Sequence, residues 1–147
     1  MRIEEFKGDR REFLSLLLIG DESEAMIGKY IDEGTMYLLH DEDVRGVCIV
    51  TGEGDGILEI KNIAVLPEYH RRGYGRAFVD FISSEYHGKF SILQAGTGDS
   101  PLTVPFYEGC GFVRHHVIPG YFTINYEHPI VEGGVLLCDM VYFRKYI

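Results

Sequence analysis

Basic residues are in short supply: 14 Lys and Arg stand against 23 Asp and Glu, a formal net charge of −9. This balance argues against broad nucleic-acid binding, which needs a basic face to release phosphate counterions, and it suits a cationic partner such as an amine. Cysteine is scarce too. Cys48, Cys110 and Cys138 are odd in number, widely spaced and without a Cys-x-x-Cys pair. Neither a disulfide framework nor a zinc ribbon is indicated, so reduced thiols and a cytoplasmic setting are expected. Long apolar runs are missing. Phe13 to Ile19 covers only seven residues, too few to span a bilayer and poorly placed for a secretory signal, so no membrane partner is expected. Linkers, repeats and low-complexity segments are absent as well.

What is present is ordinary globular material: 46% hydrophobic and 25% charged residues, with an aromatic fraction of 13% made entirely of Tyr and Phe. A chain of 147 residues is about one domain long, and such a domain buries roughly two-thirds of its unfolded surface.

Periodicity gives the expected elements in order. Met1 to Phe6 alternates like a strand. Asp9 resembles a helix N-cap, followed by Phe13, Leu16 and Leu17 at helical spacing up to about Gly20. A second helix is expected from Ser23 to Glu33, with Gly34 as its stop. Thr35 to His40 and Val44 to Thr51 form a hairpin, and a central strand runs from Ile57 to about Leu66. Simple alternation there puts Leu58, Ile60, Asn62 and Ala64 on one face and Ile57, Glu59, Lys61, Ile63 and Val65 on the other. A helix from Ala77 carries Phe78, Phe81, Ile82 and Tyr86 and ends at Gly88. A strand follows over Phe90 to Ala95. A short helix capped by Ser100, with Pro101 in its first position, runs to Gly109, and Pro105 inside it argues for distortion. Phe112 to Ile118 is a strand, Pro119 to Gly134 a long loop, and Val135 to Phe143 a last strand. This order indicates an α/β (α+β) domain, a mixed sheet with helices packed on it.

The chain is organised around Leu58 to Tyr86. A strand runs through the basic, glycine-bearing turn His70-Arg71-Arg72-Gly73-Tyr74-Gly75-Arg76 directly into a helix. Such a turn is an anion site, because the first turn of a helix leaves N–H groups unpaired and its dipole favours negative charge. A Walker loop is ruled out, since neither Gly28-Lys29 nor Gly88-Lys89 is followed by Ser or Thr, and a dinucleotide fingerprint lacks its third glycine where Phe78 stands.

His70-Arg71-Arg72-Gly73-Tyr74-Gly75, preceded by Asn62-Ile63-Ala64-Val65 and Pro67, resembles the pyrophosphate motif of the GCN5-related N-acetyltransferases (GNAT family): Arg or Gln, two residues, Gly, one residue, then Gly or Ala. His70 departs from the usual first residue. Further on, Tyr107-Glu108-Gly109-Cys110-Gly111-Phe112 is similar to the family's Tyr-Glu-x-x-Gly-Phe segment. The resemblance is strongest over Ile57 to Phe112. It implies one domain over residues 1–147, with a central, mixed, mostly antiparallel sheet of about six or seven strands flanked by about four helices.

The same resemblance implies acetyl-CoA as acyl donor. Its pyrophosphate would lie on the N–H groups of Arg71 to Arg76, and its pantetheine arm along Ile63, Ala64 and Val65. His70, Arg71, Arg72, Gly73, Tyr74, Gly75, Arg76 and Ser100 complete the cofactor set. Ser100 departs from the Asn often seen seven residues before the motif tyrosine. Acetyl transfer to an amine needs a base for the ammonium proton and an acid for the leaving thiolate. Glu59 on the central strand is the candidate base, and Tyr107 the candidate acid. The partner is then a small-molecule or peptide amine, with a homodimer as a possible assembly, as in many relatives.

Plainer explanations stand beside these. Glu59 is also readable as a salt-bridged strand residue, Tyr107 as a core aromatic, and the arginines as a solvated cluster. Tyr121, Phe122 and Glu127 in the long loop are candidate acceptor contacts, since aromatic and polar groups mix there. His115 and His116, as strand neighbours, are expected on opposite faces, which disfavours joint metal ligation, and no metal site is assigned. Two alternatives to an enzyme remain: a non-catalytic acyl-CoA sensor or interaction module, and a different nucleotide-binding protein using the same glycine turn.

Overall fold

The computed structural model describes residues 1–147. Strand β1 (Arg2–Phe6) leads into a tight helical turn (Arg10–Phe13), whose cap is the Asp9 carboxylate accepting the Arg11 N–H at 3.0 Å. Helix α1 (Leu14–Gly20) continues from it. Helix α2 (Glu24–Gly28) begins at Ser23, whose hydroxyl accepts the Met26 N–H at 3.2 Å. It stops five residues short of the expected Glu33. The Arg10 guanidinium takes over there, donating to the carbonyls of Ile31, Glu33 and Gly34 at 2.9, 2.6 and 2.7 Å, so those carbonyls have partners without a continued helix.

Strands β2 (Thr35–Asp41), β3 (Asp43–Gly52) and β4 (Ile57–Val65) follow, then α3 (Tyr74–Glu85), β5 (Ile92–Gly98), α4 (Val104–Gly109) and β6 (Val113–Ile118). Pro105 lies in the first turn of α4, where a missing N–H costs nothing, so the expected distortion reduces to a short helix. The segment expected as one long loop contains α5 (Tyr121–Asn125) and a small ribbon of β7 (Val131–Glu132) with β8 (Val135–Leu136). The last strand, β9 (Met140–Tyr146), accordingly starts later than expected.

Seven strands form one sheet in the order β1-β2-β3-β4-β5-β9-β6. All neighbours are antiparallel except β4 and β5, which are parallel. One face packs on α3, where Phe78, Val79 and Ile82 are fully buried with Leu58, Ile60, Leu93 and Phe143. The other packs on α1 and α2 through Leu16, Leu17, Ile27, Met36, Val47, Ile49 and Ala64. A buried side chain of this size is worth about 1.5–3 kcal/mol, so both layers hold the sheet. No helix is long and apolar enough to cross a membrane.

Two bulges revise the expected faces. Ile49 of β3 pairs with Asn62 and Val50 with Ile60, so Lys61 is an extra residue in β4. Leu58 and Ile60 face α3, whereas beyond the bulge Ala64 packs toward α1 and Ile63 toward the α3 layer. Glu59 therefore does not share its face with Ile63, contrary to simple alternation. In β6, Arg114 pairs with Phe143 and His116 with Tyr142, leaving His115 as the extra residue. The two imidazoles, expected on opposite faces, approach to 2.8 Å between Nδ1 atoms.

Candidate active site

Strands β4 and β5 pair only from Ile57 and Ile92 to Ile60 and Ala95. Beyond the Lys61 bulge they part, and a cleft of about 1120 Å³ opens between Lys61 to Val65 on one side and Gly96 to Gly98 on the other. The edge of β4 is thus released from β5 where the expected pantetheine residues Ile63, Ala64 and Val65 stand, and its free backbone groups suit an extended, amide-bearing chain.

The glycine turn closes one end. Arg71 and Gly73 both hold left-handed backbone, with φ of 63° and 84°, and Gly73 caps α3. The N–H groups of Tyr74, Gly75 and Arg76 then lack a carbonyl one turn earlier, and they sit beside the Arg71 and Arg76 side chains. Gly75 is needed for packing: a Cβ there would lie 2.8 Å from the Phe106 ring of α4. His70, the departure from the family motif, bonds through Nε2 to the Val65 carbonyl at 2.7 Å, so its ring ties the turn to the end of β4.

Not every expected contact points into this cleft. Arg72 lies over the Tyr69 ring at 4.9 Å, as does Arg45 at 4.1 Å, and the Tyr74 hydroxyl bonds to Asp41. Both residues line a separate recess of about 340 Å³. Ser100 is buried outside the cleft lining. Its hydroxyl accepts the Leu102 N–H at 3.2 Å and donates to Glu132 at 3.1 Å, so it stabilises the approach to α4.

Glu59 stands at the throat, one residue before the last β4–β5 pair. It is 6% exposed. Gln94 of β5 donates Nε2 to Oε1 at 2.5 Å, and Lys61 Nζ lies 2.7 Å from Oε2. Burial pulls the Lys61 ammonium down, but Glu59 and Glu53, the latter at 3.3 Å, outweigh it and the net shift is upward.

Tyr107 lines the cleft from α4, and is also 6% exposed. Its ring stacks on Phe143 at 5.7 Å and meets Phe112 edge-on at 5.4 Å. Burial pushes its phenol well above the ordinary tyrosine range, so it keeps its proton at any working pH.

The far end is acidic and aromatic. Tyr121, Phe122 and Tyr126 of the α5 region line it together with Tyr142, Tyr30 and Asp21. Asp21 accepts the hydroxyls of Tyr30 at 3.1 Å and Tyr126 at 2.8 Å, and Asn62 donates to the Tyr30 oxygen at 3.0 Å. Glu127, an expected contact, is exposed and outside the lining; Tyr126 beside it takes that place. Asp21, Tyr30, Gln94, Tyr126 and Tyr142 carried no motif, and only the long-range contacts assemble them.

Comparison with known proteins identifies the family and the fold. Residues 32–114 match the Acetyltransferase (GNAT) domain. The chain is 28% identical over 144 residues to the uncharacterized N-acetyltransferase YvbK of Bacillus subtilis (strain 168), covering 96% of this chain and 93% of that protein. Among solved structures, an IAA acetyltransferase from Bacillus cereus ATCC 14579 superposes with a TM-score of 0.90 at 29% identity, over 99% of both chains. A GNAT family acetyltransferase from Elizabethkingia anophelis with acetyl-CoA bound gives 0.92 at 26% identity, over 99% of this chain and 97% of that one. With a split β4–β5 pair, a glycine turn capping α3 and a matched domain covering more than half of its length, this chain belongs to the GNAT acetyltransferase family.

Proposed function

We propose that the protein transfers the acetyl group of acetyl-CoA to a primary amine of a small molecule or peptide, with Glu59 as general base and Tyr107 as general acid. The observation that carries this reading is the placement of a carboxylate and a neutral phenol in one cleft, where β4 leaves β5, with an anion-binding helix end beside them. The residues fit acetyl-CoA. Cationic Arg71 and Arg76 flank the free N–H groups of α3, the released β4 edge runs alongside, and the Elizabethkingia relative carries that ligand.

In the proposed reaction the amine nitrogen attacks the thioester carbonyl, the carbon–sulfur bond breaks as the amide forms, Glu59 takes the amine proton and Tyr107 protonates the leaving thiolate. Glu59 is pre-set for an ammonium, since it already holds that of Lys61. The acidic, tyrosine-lined end supports recruitment of a cationic acceptor. The free thiols support a reducing, cytoplasmic setting, and the exposed Val113, Val117 and Ile118 of edge strand β6 support a homodimer.

The engaged state of Glu59 gives the second reading its footing: in an acyl-CoA sensor this carboxylate would only pair with Lys61 and Gln94. Thiol release from acetyl-CoA over a panel of spermidine, kanamycin, lysine and a free tripeptide separates the two. Amine-dependent release supports the enzyme. Calorimetric CoA binding with no release from any amine supports the sensor and overturns the proposal.

A further inference from the structure

Glu59, Gln94 and Arg144 stand in one row across three strands. Glu59 of β4 is the register partner of Gln94 in β5, and Gln94 is that of Arg144 in β9. Hydrogen bonds run along the row: Gln94 Nε2 donates to Glu59 Oε1 at 2.5 Å, and Arg144 Nε donates to Gln94 Oε1 at 2.7 Å. Gln94 is itself 7% exposed.

The chemistry of the three groups makes the row directional. A primary amide has one accepting and one donating end, whereas a guanidinium only donates and a carboxylate only accepts. With Arg144 on the amide oxygen, the NH₂ must face Glu59. A flipped amide would set oxygen against carboxylate at one end and NH₂ against guanidinium at the other. Arg144 therefore fixes the orientation of an amide it touches and, through it, the position of a carboxylate it does not touch. At its outer end Arg144 Nη1 lies 3.5 Å from His115 Nε2.

The row crosses the sheet immediately before Ile60 and Ala95, the last pair that holds β4 to β5. Beyond that point β4 has no β5 partner, so Glu59 borders the open cleft. Its Oε1 is held by Gln94, and its Oε2 is on Lys61, a flexible chain that also shares Glu53. Oε2 is thus the oxygen able to exchange one ammonium for another.

We infer that Gln94 and Arg144 are positioning residues for acetyl transfer: they anchor Glu59 Oε1 so that Oε2 is presented to the acceptor amine. The inference rests on the reading of Glu59 as base. Gln94 and Arg144 do not touch the reacting atoms, and their effect on rate passes through Glu59.

The test is a double-mutant cycle on the full chain, with acetyl-CoA and whichever amine of the spermidine, kanamycin, lysine and tripeptide panel releases thiol fastest. Glu59→Gln, Gln94→Leu and the double variant are compared, with Arg144→Met and Arg144→Lys alongside and thermal midpoints for all. Gln94→Leu is expected to lower kcat about 10- to 100-fold with KM for acetyl-CoA unchanged, as for misplacement of a catalytic group. Arg144→Met should act in the same direction, and Arg144→Lys should regain most of the rate because its ammonium still donates to the amide oxygen. In the Glu59→Gln background, Gln94→Leu should cost nothing further. An additive loss in the double variant, or a fall in thermal midpoint with kcat unchanged, overturns the positioning role and leaves the base in place. Wild-type rates for Glu59→Gln, or no thiol release by the wild type, overturn both.

Discussion

Lys61 and Glu59 form an ion pair across the β4 bulge, Nζ to Oε2 at 2.7 Å, with side chains only 25% and 8% exposed. With Glu59 as the proposed base, the resident ammonium occupies the position that an acceptor ammonium would need. It also explains how a carboxylate at the throat of a cleft stays paired before substrate arrives, since an unpaired buried charge is costly.

Lys61→Met should therefore lower KM for the acceptor amine, because the substrate no longer competes with a resident cation. A pair of this kind is worth about 1 kcal/mol, so the gain is up to about fivefold. Steady-state kinetics at fixed acetyl-CoA checks it, with KM for acetyl-CoA expected to stay the same.

Tyr107→Phe should lower kcat about 100-fold while leaving acetyl-CoA affinity within about twofold, the pattern of a lost general acid. The pH dependence follows from burial. The folded pKa is raised above the unfolded one, so the phenol is still protonated where a free tyrosine, with a pKa of about 10, would be ionising. The wild-type kcat should accordingly hold through pH 10. The same shift makes this residue favour the folded state below pH of about 10, with that contribution falling as pH rises further.

Gly73→Val should abolish measurable CoA binding, a loss of at least about 100-fold by calorimetry. A Cβ at Gly73 would meet no protein atom within 4 Å, so space inside the protein is not the obstacle. The φ of 84° is, since a β-branched residue resists left-handed backbone by roughly 1–2 kcal/mol, and the added methyl groups would project over N–H groups meant for phosphate. Gly75→Ala should lose stability instead, through the Phe106 ring.

Much of this arrangement was legible in the residues themselves. The cap at Asp9, the helix start at Ser23, the alternating strands from Thr35 to Val65 and the glycine turn are local signals, and each forms where expected. The bulges at Lys61 and His115 were not legible, because a bulge is fixed by pairing with another strand, and nothing in one strand's alternation marks it. The five-residue α5 is too short to show a helical period. Ser100, Arg72 and Tyr74 were placed by the family motifs and Glu127 by the mix of aromatic and polar residues in its loop, yet their own hydrogen bonds, stacking or exposure keep them out of the cleft. Asp21 and Tyr126, 105 residues apart, meet only once the fold is complete.

The most direct measurement is the pH profile of kcat/KM for Glu59→Gln against wild type, with acetyl-CoA and the best amine of the panel. Below the pKa of the amine, about 10 for an alkyl ammonium and about 8 for a peptide N-terminus, the acceptor arrives as ammonium and needs a base, and the need grows as pH falls. The expected result is a deficit of about 100-fold well below the pKa of the amine that narrows steadily as pH approaches that pKa, where free amine is supplied by solution. A variant that matches wild type across the whole range would contradict Glu59 as the base at the throat of the cleft.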